Sequence, residues 1–488
     1  MSPHPFHTFN FQQVLFTARV SDDVVVVVKN LVHLLANFLQ LLQGFLPLKM
    51  VDPNFEVHGC PKPHSFKSFR FFLRLILHSE LKNSKIERKF YRRGNEVNHM
   101  KPVELKDGVF WVGAIDWDER DFHNFVTARG LTYNSYLIVD DKVVLVDTVK
   151  HKFVKESMER IRKLVDPSQI DYVIVNHIEP DHSSGLPDTM RIAKDATVVC
   201  TQRAKDGICK YYDCDGWNIQ VVKGGDTLKI GKRTLTFIDM TMLHWPDSMA
   251  TYINEDKILL SNDAFGQHVA SEYRFDEEIG VEEALKWAKV YYANILMPLG
   301  GLIQKKLKEI KESGLEIDII APSHGVVWKN PGRIIEAYDR WSRFEPTNKV
   351  VIVFDSMWHS TEKLAMAIAE GAGSEGADVR VMHIRKDYWT DIVTEILDAK
   401  AIAVGSPTIH NGLFPTVAGF LTYLKGLKPQ NKKALAFGSY GWNGNAVKEV
   451  QKVLEELKFE TLEPFMVKFK PSEEELQKAF ELGRELAR

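Results

Sequence analysis

The stretch His177-Ile178-Glu179-Pro180-Asp181-His182, continuing Ser183-Ser184-Gly185-Leu186-Pro187, puts four metal-ligand side chains into six positions directly after the apolar run DYVIVN. Successive side chains of a strand point to opposite faces. His177, Glu179 and Asp181 are therefore expected to converge where that strand runs out, with His182 adjoining. Other apolar runs of the same region also end in ligand-type residues: His244 after TLTFIDMTML, Asp263 after DKILLSN and His324 after IDIIAPS. A lone histidine at a strand end is usually a structural, hydrogen-bonded residue, but several strand ends finishing in ligands argue for a metal site. Four imidazoles and three carboxylates exceed the needs of one four-coordinate zinc and suit two metals. Asp263, with two oxygens to offer, is the expected bridge. A carboxylate at Glu179, where a further imidazole would favour zinc, points to iron or manganese.

The alternation of strand-like and helix-like runs around this motif predicts an α/β fold. YLIVDDKVVLVDT, DYVIVNH, TLTFIDMTMLH, DKILLSND and IDIIAPSH read as strands, with KFVKESMERIRKLV and VEEALKWAKVYYANILM as helices between them. After a linker expected at Glu345-Pro346-Thr347-Asn348, the runs KVVIVFD, DVRVMHI, AIAVGSP and KKALAFGS have the continuous apolar character of a parallel sheet buried on both faces. Three loops at the ends of these strands are expected to form a flavin site. Ser356, Trp358, His359, Ser360 and Thr361 would cradle a phosphate at a helix N-terminus. Pro407, Thr408, Asn411 and Gly412 in the second loop, and Ser439, Tyr440, Gly441, Trp442 and Asn443 in the third, would meet the ring system. No GxGxxG fingerprint that follows a strand-like run and opens a helix is present, which disfavours FAD or NAD here.

The 488 residues call for two or three domains. Residues 1–99 differ from the rest, holding 12 of 28 phenylalanines and 7 of 17 histidines but only 3 of 30 glycines. They are expected to be either an accessory extension or sequence upstream of the true start at Met100. The basic, aromatic run FKSFRFFLRLILHSELKNSKIERKFYRR also suggests a membrane-surface anchor. The expected division is 1–99 extension, 100–347 metal domain and 348–488 flavin domain. A net charge of −2 gives no field that would gather nucleic acid or anionic lipid. The apolar stretch Leu31–Leu48 is too interrupted to span a membrane. Four cysteines without a CxxC pair argue against a zinc ribbon, an iron–sulfur cluster or a disulfide scaffold, so a reducing cytoplasm is expected.

The HxExDH pattern with later His, Asp and His, together with RDFH, TYNSYL, MLHWPDSM, SNDAFGQ and YYANI, resembles the flavodiiron proteins from about Met100 to the C-terminus. The resemblance implies a metallo-β-lactamase-like αββα sandwich followed by a flavodoxin-like doubly wound sheet that binds FMN. It implies one iron on His177, Glu179 and His244, a second on Asp181, His182 and His324, and Asp263 between them. His123 and Tyr292 match positions near the substrate. The implied activity is reduction of dioxygen to water, of nitric oxide to nitrous oxide, or of both. The implied assembly is a head-to-tail homodimer or a dimer of such dimers, and the donor is a rubredoxin-type protein or a reduced deazaflavin. A metal-dependent hydrolase carrying a flavodoxin domain is the alternative, and it predicts zinc and indifference to FMN.

Overall fold

The structure, a computed structural model, describes residues 101–488. The readings made for residues 1–99 lie outside the described residues.

Two sheets face each other across one core. The seven-stranded sheet runs in the spatial order Val103–Lys106, Val109–Trp111, Tyr136–Val139, Val143–Val146, Ile170–Ile174, Thr197–Cys200, Asn218–Val221. The five-stranded sheet follows chain order, from Thr227–Lys229 through Thr234–Asp239, Met249–Ile253 and Ile258–Asn262 to Ile319–Pro322. Trp111, Ile138, Val144 and Ile174 from the first sheet pack against Leu235, Phe237, Ile258 and Ile319 from the second. Helices Val154–Ile161, Leu186–Ile192 and Gln202–Tyr211 cover the outer face of the first sheet. Val281–Tyr291, Gly300–Glu312 and Pro331–Ser342 cover that of the second. Each amphipathic element thereby buries its apolar side, which is what an αββα sandwich requires.

The third sheet is parallel, in the order Asp378–His383, Thr347–Phe354, Ala399–Gly405, Lys433–Tyr440, and the last of these also pairs with Glu460–Thr461 and Phe465–Lys468. This is the doubly wound order whose ligand crevice lies where the first strand separates its two neighbours. Val350 and Ile352 pack on one face with helices Ser360–Ser374 and Glu473–Ala487, while Val351 and Val353 pack on the other. That second face is continuous with the helices of the five-stranded sheet, so a single apolar core runs from Met240 to Phe459. The first strand of the parallel sheet already begins at Thr347. The linker is thus shorter than expected, because Thr347 pairs its backbone with Asp398.

Cys209 and Cys214 form a disulfide with Cα atoms 5.3 Å apart, and Cys200 is buried and free. That bridge corrects the expectation drawn from cysteine spacing. The helix Gln202–Tyr211 ends between the two cysteines and turns the chain back on itself. Among the described residues no helix is long and apolar enough to cross a membrane.

Candidate metal centre and flavin crevice

The strand Ile170–Ile174 stops before the metal motif begins. His177 and Glu179 lie on the loop that follows, and Asp181 and His182 on the one-turn helix Pro180–Ser183. Convergence therefore comes from a loop and a helical turn and not from strand alternation, because Pro180 at the first helical position sets the turn. Asp147 ties this loop to the next strand end. Its carboxylate accepts from Asn176 N at 2.7 Å, from Asn176 Nδ2 at 3.0 Å and from Asn262 Nδ2 at 3.1 Å. The residues just before His177 and Asp263 are thus held by one buried side chain.

All seven predicted ligands meet. His177, Glu179, His244 and Asp263 form one group and Asp181, His182 and His324 another, with the ligand atoms of each group within 4.8 Å of one another. Asp263 joins them through different oxygens. Its Oδ2 lies 3.0 Å from His244 Nε2 and 3.6 Å from His177 Nε2, while Oδ1 lies 3.0 Å from His182 Nε2 and 3.5 Å from His324 Nε2. Ser323 Oγ donates to Oδ1 at 2.9 Å and fixes the carboxylate plane. Burial opposes ionisation of Asp263, yet His182 and His244 beside it hold its carboxyl well below the usual range. His182 is pushed up to about 9, since Asp181 and Asp263 outweigh its own desolvation.

The buried atoms of the second group test whether metal fits. Both carboxylate oxygens of Asp181 and both ring nitrogens of His182 are buried without a hydrogen-bond partner, although His324 Nε2 stands 3.0 Å from Asp181 Oδ2. Leaving such groups unpaired costs on the order of 1–3 kcal/mol each. Lone pairs that approach without forming hydrogen bonds are the arrangement a cation would satisfy. The outer contacts agree with this. His177 Nδ1 donates to Asp247 Oδ2 at 3.0 Å and His324 Nδ1 donates to Thr132 O at 2.6 Å, which turns the Nε2 of each ring inward.

A pocket of about 350 Å³ opens onto these residues, walled by Phe122, Phe125, Trp245, Asn294 and Ile295. His123 reaches in, with Nε2 2.7 Å from Glu179 Oε1, and remains largely exposed. It forms the tip of the hairpin Asp121–Phe122/Phe125–Val126, where His123 and Asn124 have φ of 53° and 67°. Two consecutive left-handed residues make the tight turn that such a two-residue loop needs. Tyr292 does not reach the pocket. Its ring is buried against Tyr338 and Trp341 and its hydroxyl has no partner. Tyr291 lines the pocket instead, with its ring 6.2 Å from that of His324. The correction follows from helix geometry: successive side chains of a helix point about 100° apart, so only one of the adjacent tyrosines can face the ligands, and it is Tyr291, the last residue of Val281–Tyr291. Asn294 in the next turn, Tyr292–Leu296, is gripped by the parallel-sheet domain, donating to Thr390 O at 3.2 Å and accepting from Tyr423 Oη at 2.7 Å.

The sequence reading missed Asp147, Asp247 and His268. Asp247 carried a signal, since a carboxylate shortly after a candidate ligand is a common partner for another ligand's ring. His268 is buried 5.4 Å from the His324 ring, and burial followed by the neighbouring His324 pushes it down to about 3, so it stays neutral.

The predicted flavin residues gather on three loops at the C-terminal ends of adjacent strands. Ser356, Trp358 and His359 follow the strand Thr347–Phe354, and Ser360 and Thr361 begin the next helix. Pro407, Thr408, Asn411 and Gly412 follow Ala399–Gly405. Ser439 and Tyr440 end Lys433–Tyr440, with Gly441, Trp442 and Asn443 just beyond. Thr361 and Ser439 share a hydrogen bond of 2.9 Å across the crevice, and Asn443 donates to Asn411. Among the described residues, the hydroxyls of Ser356 and Thr408 are buried without partners just past the ends of the two strands that flank the crevice. Trp358 and Trp442 are 87% and 66% exposed at its rim, free to lie over a planar ring. Unpartnered hydroxyls and open aromatic faces fit a phosphate-bearing flavin.

Comparison with known proteins agrees with both halves. The family model of the ODP family beta lactamase matches residues 131–325 and that of flavodoxin matches 352–483. A nitric oxide reductase of Moorella thermoacetica is 48% identical over 392 residues, 79% of this chain and 98% of the relative. Among solved structures, the rubredoxin oxygen:oxidoreductase of Desulfovibrio gigas superposes with a TM-score of 0.78 at 39% identity, covering 80% of this chain and 98% of that one. The flavodiiron protein of Giardia intestinalis gives 0.77 at 38% identity, covering 79% and 96%. With a sandwich that ends in seven convergent ligands, a flavodoxin sheet behind it and relatives matched over nearly their whole length, the chain belongs to the flavodiiron proteins.

Proposed function

We propose that this protein reduces dioxygen to water, nitric oxide to nitrous oxide, or both, at a pair of irons refilled with electrons by FMN. The observation that carries this reading is Asp263, whose two oxygens each face a different set of imidazoles. His177, Glu179 and His244 would hold one iron, Asp181, His182 and His324 the other, and Asp263 both. Three carboxylates among seven ligands suit iron better than zinc. Bound there, the irons supply paired redox centres for a diatomic oxidant, and FMN supplies electrons singly. The chain's own residues set the conditions. Phe122, Phe125, Trp245 and Ile295 give the pocket apolar walls beside the ligands. His123 Nε2 holds a proton against Glu179 Oε1 and orients that carboxylate. Tyr291 brings a phenol to the pocket whose burial keeps it protonated and able to donate.

The metal-bearing part spans residues 100–347 and the FMN-bearing part 348–488, with residues 1–99 outside both. A head-to-tail homodimer, alone or paired into a dimer of dimers, would set the flavin of one chain against the iron pair of its partner. The exposed aromatic rim of Trp358 and Trp442 supports such a contact. The donor is a rubredoxin-type protein or a reduced deazaflavin, and the setting the cytoplasm. The test is anaerobic: iron and FMN are counted per chain, the protein is fully reduced, and dioxygen or nitric oxide is added while flavin and iron oxidation are followed. Two irons, one FMN and fast reoxidation are expected. Zinc in place of iron, or reduced flavin unchanged by both gases, would overturn the reading in favour of a hydrolase.

A further inference from the structure

Behind the metal pocket lies a second, smaller cavity of about 30 Å³. The two cavities share their partition. His244, Asp263, Asn294 and Ile295 face the metal pocket, while their chain neighbours Leu243, Ala264 and Leu296 face the small cavity. The far side is lined by Ile303 and the partly buried Leu307 and Ile310 of the helix Gly300–Glu312, and it stays partly open to solvent. Lys306 lies across it by its aliphatic stem, with its ammonium 2.7 Å from Glu309 and turned away.

Nothing in this lining offers water a place. Phe265 N donates to Tyr338 Oη at 2.8 Å and Phe265 O accepts from Trp328 Nε1 at 2.9 Å. Ala264 O accepts from Ser261 Oγ at 2.7 Å, and Leu243 N donates to Met240 O at 2.7 Å. These polar groups at the wall are already paired with one another. A buried water needs about 2–4 polar partners, and cavities without them stay dry and take apolar guests. A water-sized sphere takes up roughly 10–15 Å³ on this measure, so the space matches a diatomic molecule and excludes an organic substrate.

We infer that this cavity is a binding site for one small apolar gas molecule, held one residue's thickness behind the ligands His244 and Asp263. Its occupancy follows from the apolar lining alone. That the guest is dioxygen or nitric oxide on its way to the irons rests on the function proposed above.

Xenon is the probe. Crystals of the full chain loaded with iron and FMN, pressurised with xenon, are expected to show it between Leu243, Ala264 and Ile303. The variant Ile303→Phe fills the space from the side away from the ligands. It should lose the xenon site and, by closing the route through the cavity, lower kcat/KM for the gas severalfold, with kcat at saturating gas and iron content unchanged. Leu307→Phe fills the same cavity from the next helical turn and serves if Ile303→Phe loses iron or FMN. Absence of xenon from the parent's cavity overturns the inference. Loss of xenon with an unchanged kcat/KM overturns the feeding role. A parent that binds xenon but reduces neither gas leaves the binding site standing and refutes the proposed function instead.

Discussion

Asp247 supports only one of the two ligand groups, and its removal should therefore loosen one iron and not the other. Its Oδ2 accepts from His177 Nδ1 at 3.0 Å and from Ile178 N at 2.9 Å, and the residue is 3% exposed. Replacement by alanine removes a charge-assisted bond and strands a backbone N–H, each costing on the order of 1–3 kcal/mol in a buried setting. The share that reaches the metal is smaller, because His177 keeps Nε2 aimed inward through packing against Trp245 and His244. Loss of such an outer partner typically weakens metal affinity about 10–100-fold, which is about 1.4–2.7 kcal/mol. Asp247→Asn keeps an oxygen within reach of both donors and should fall near the tenfold end, and Asp247→Ala near the hundredfold end. The assay is anaerobic iron release to a coloured chelator, with iron counted per chain. In Asp247→Ala, half of the iron should leave faster than in the parent. The other half, on Asp181, His182 and His324 with Thr132 as the brace, should leave at the parent's rate. Release of both halves at the parent rate, or of both equally fast, would refute the reasoning.

Tyr291→Phe should lower gas turnover by about tenfold or more with iron content intact, as for loss of a positioned donor. Tyr292→Phe deletes an unpartnered buried hydroxyl and should leave turnover unchanged and thermal stability equal or higher by about 1 kcal/mol; equal losses of turnover in both would refute the assignment of Tyr291. Ser356→Ala and Thr408→Ala should each weaken FMN binding about fivefold, the worth of one neutral hydrogen bond, measured by flavin fluorescence on the apoprotein; unchanged affinity would exclude those hydroxyls from the site. Lys432 is buried with Nζ 3.0 Å from Leu397 O, and desolvation pushes it down from 10.5 to about 7. In the folded state this amine resists protonation, so the unfolded chain binds more protons between those values and stability rises with pH by up to about 1.4 kcal/mol per unit. Lys432→Met should therefore raise the midpoint of thermal unfolding most near pH 7 and progressively less toward pH 10, and a gain independent of pH would contradict the assignment.

The ligand set was legible because each member stands at or just beyond an apolar run whose own burial is dictated by the sheets. Asp263 follows Ile258–Asn262 directly, and His324 lies two residues past Ile319–Pro322. The flavin loops were legible for the same reason, since strands buried on both faces must end in loops on one edge. What failed were readings that depend on the local winding or rotation of an element. His177 to His182 looked like an alternating strand because the motif spaces its ligands by two, yet Pro180 starts a helix there. Tyr291 and Tyr292 are adjacent, and which one faces the ligands depends on how their helix is rotated against the sheet, which the sequence does not state. Asp147 escaped notice because its partners are far along the chain: Asn176 meets it only when two strands of one sheet pair, and Asn262 only when the second sheet stacks on the first. The Cys209–Cys214 bridge was equally invisible, since its closure depends on where one helix stops.

Among the described residues, the hairpin that carries His123 pairs its strands only with each other and belongs to none of the three large sheets. The chain's outermost contact to Glu179 is therefore mounted on the most replaceable part of the scaffold. A lineage can exchange that imidazole for a longer cation, an amide or nothing at all by rewriting a two-residue tip. The buried seven need not be renegotiated, nor the strands behind them. Such an arrangement separates two tasks, holding the buried cluster fixed while leaving the side chain at its mouth open to change.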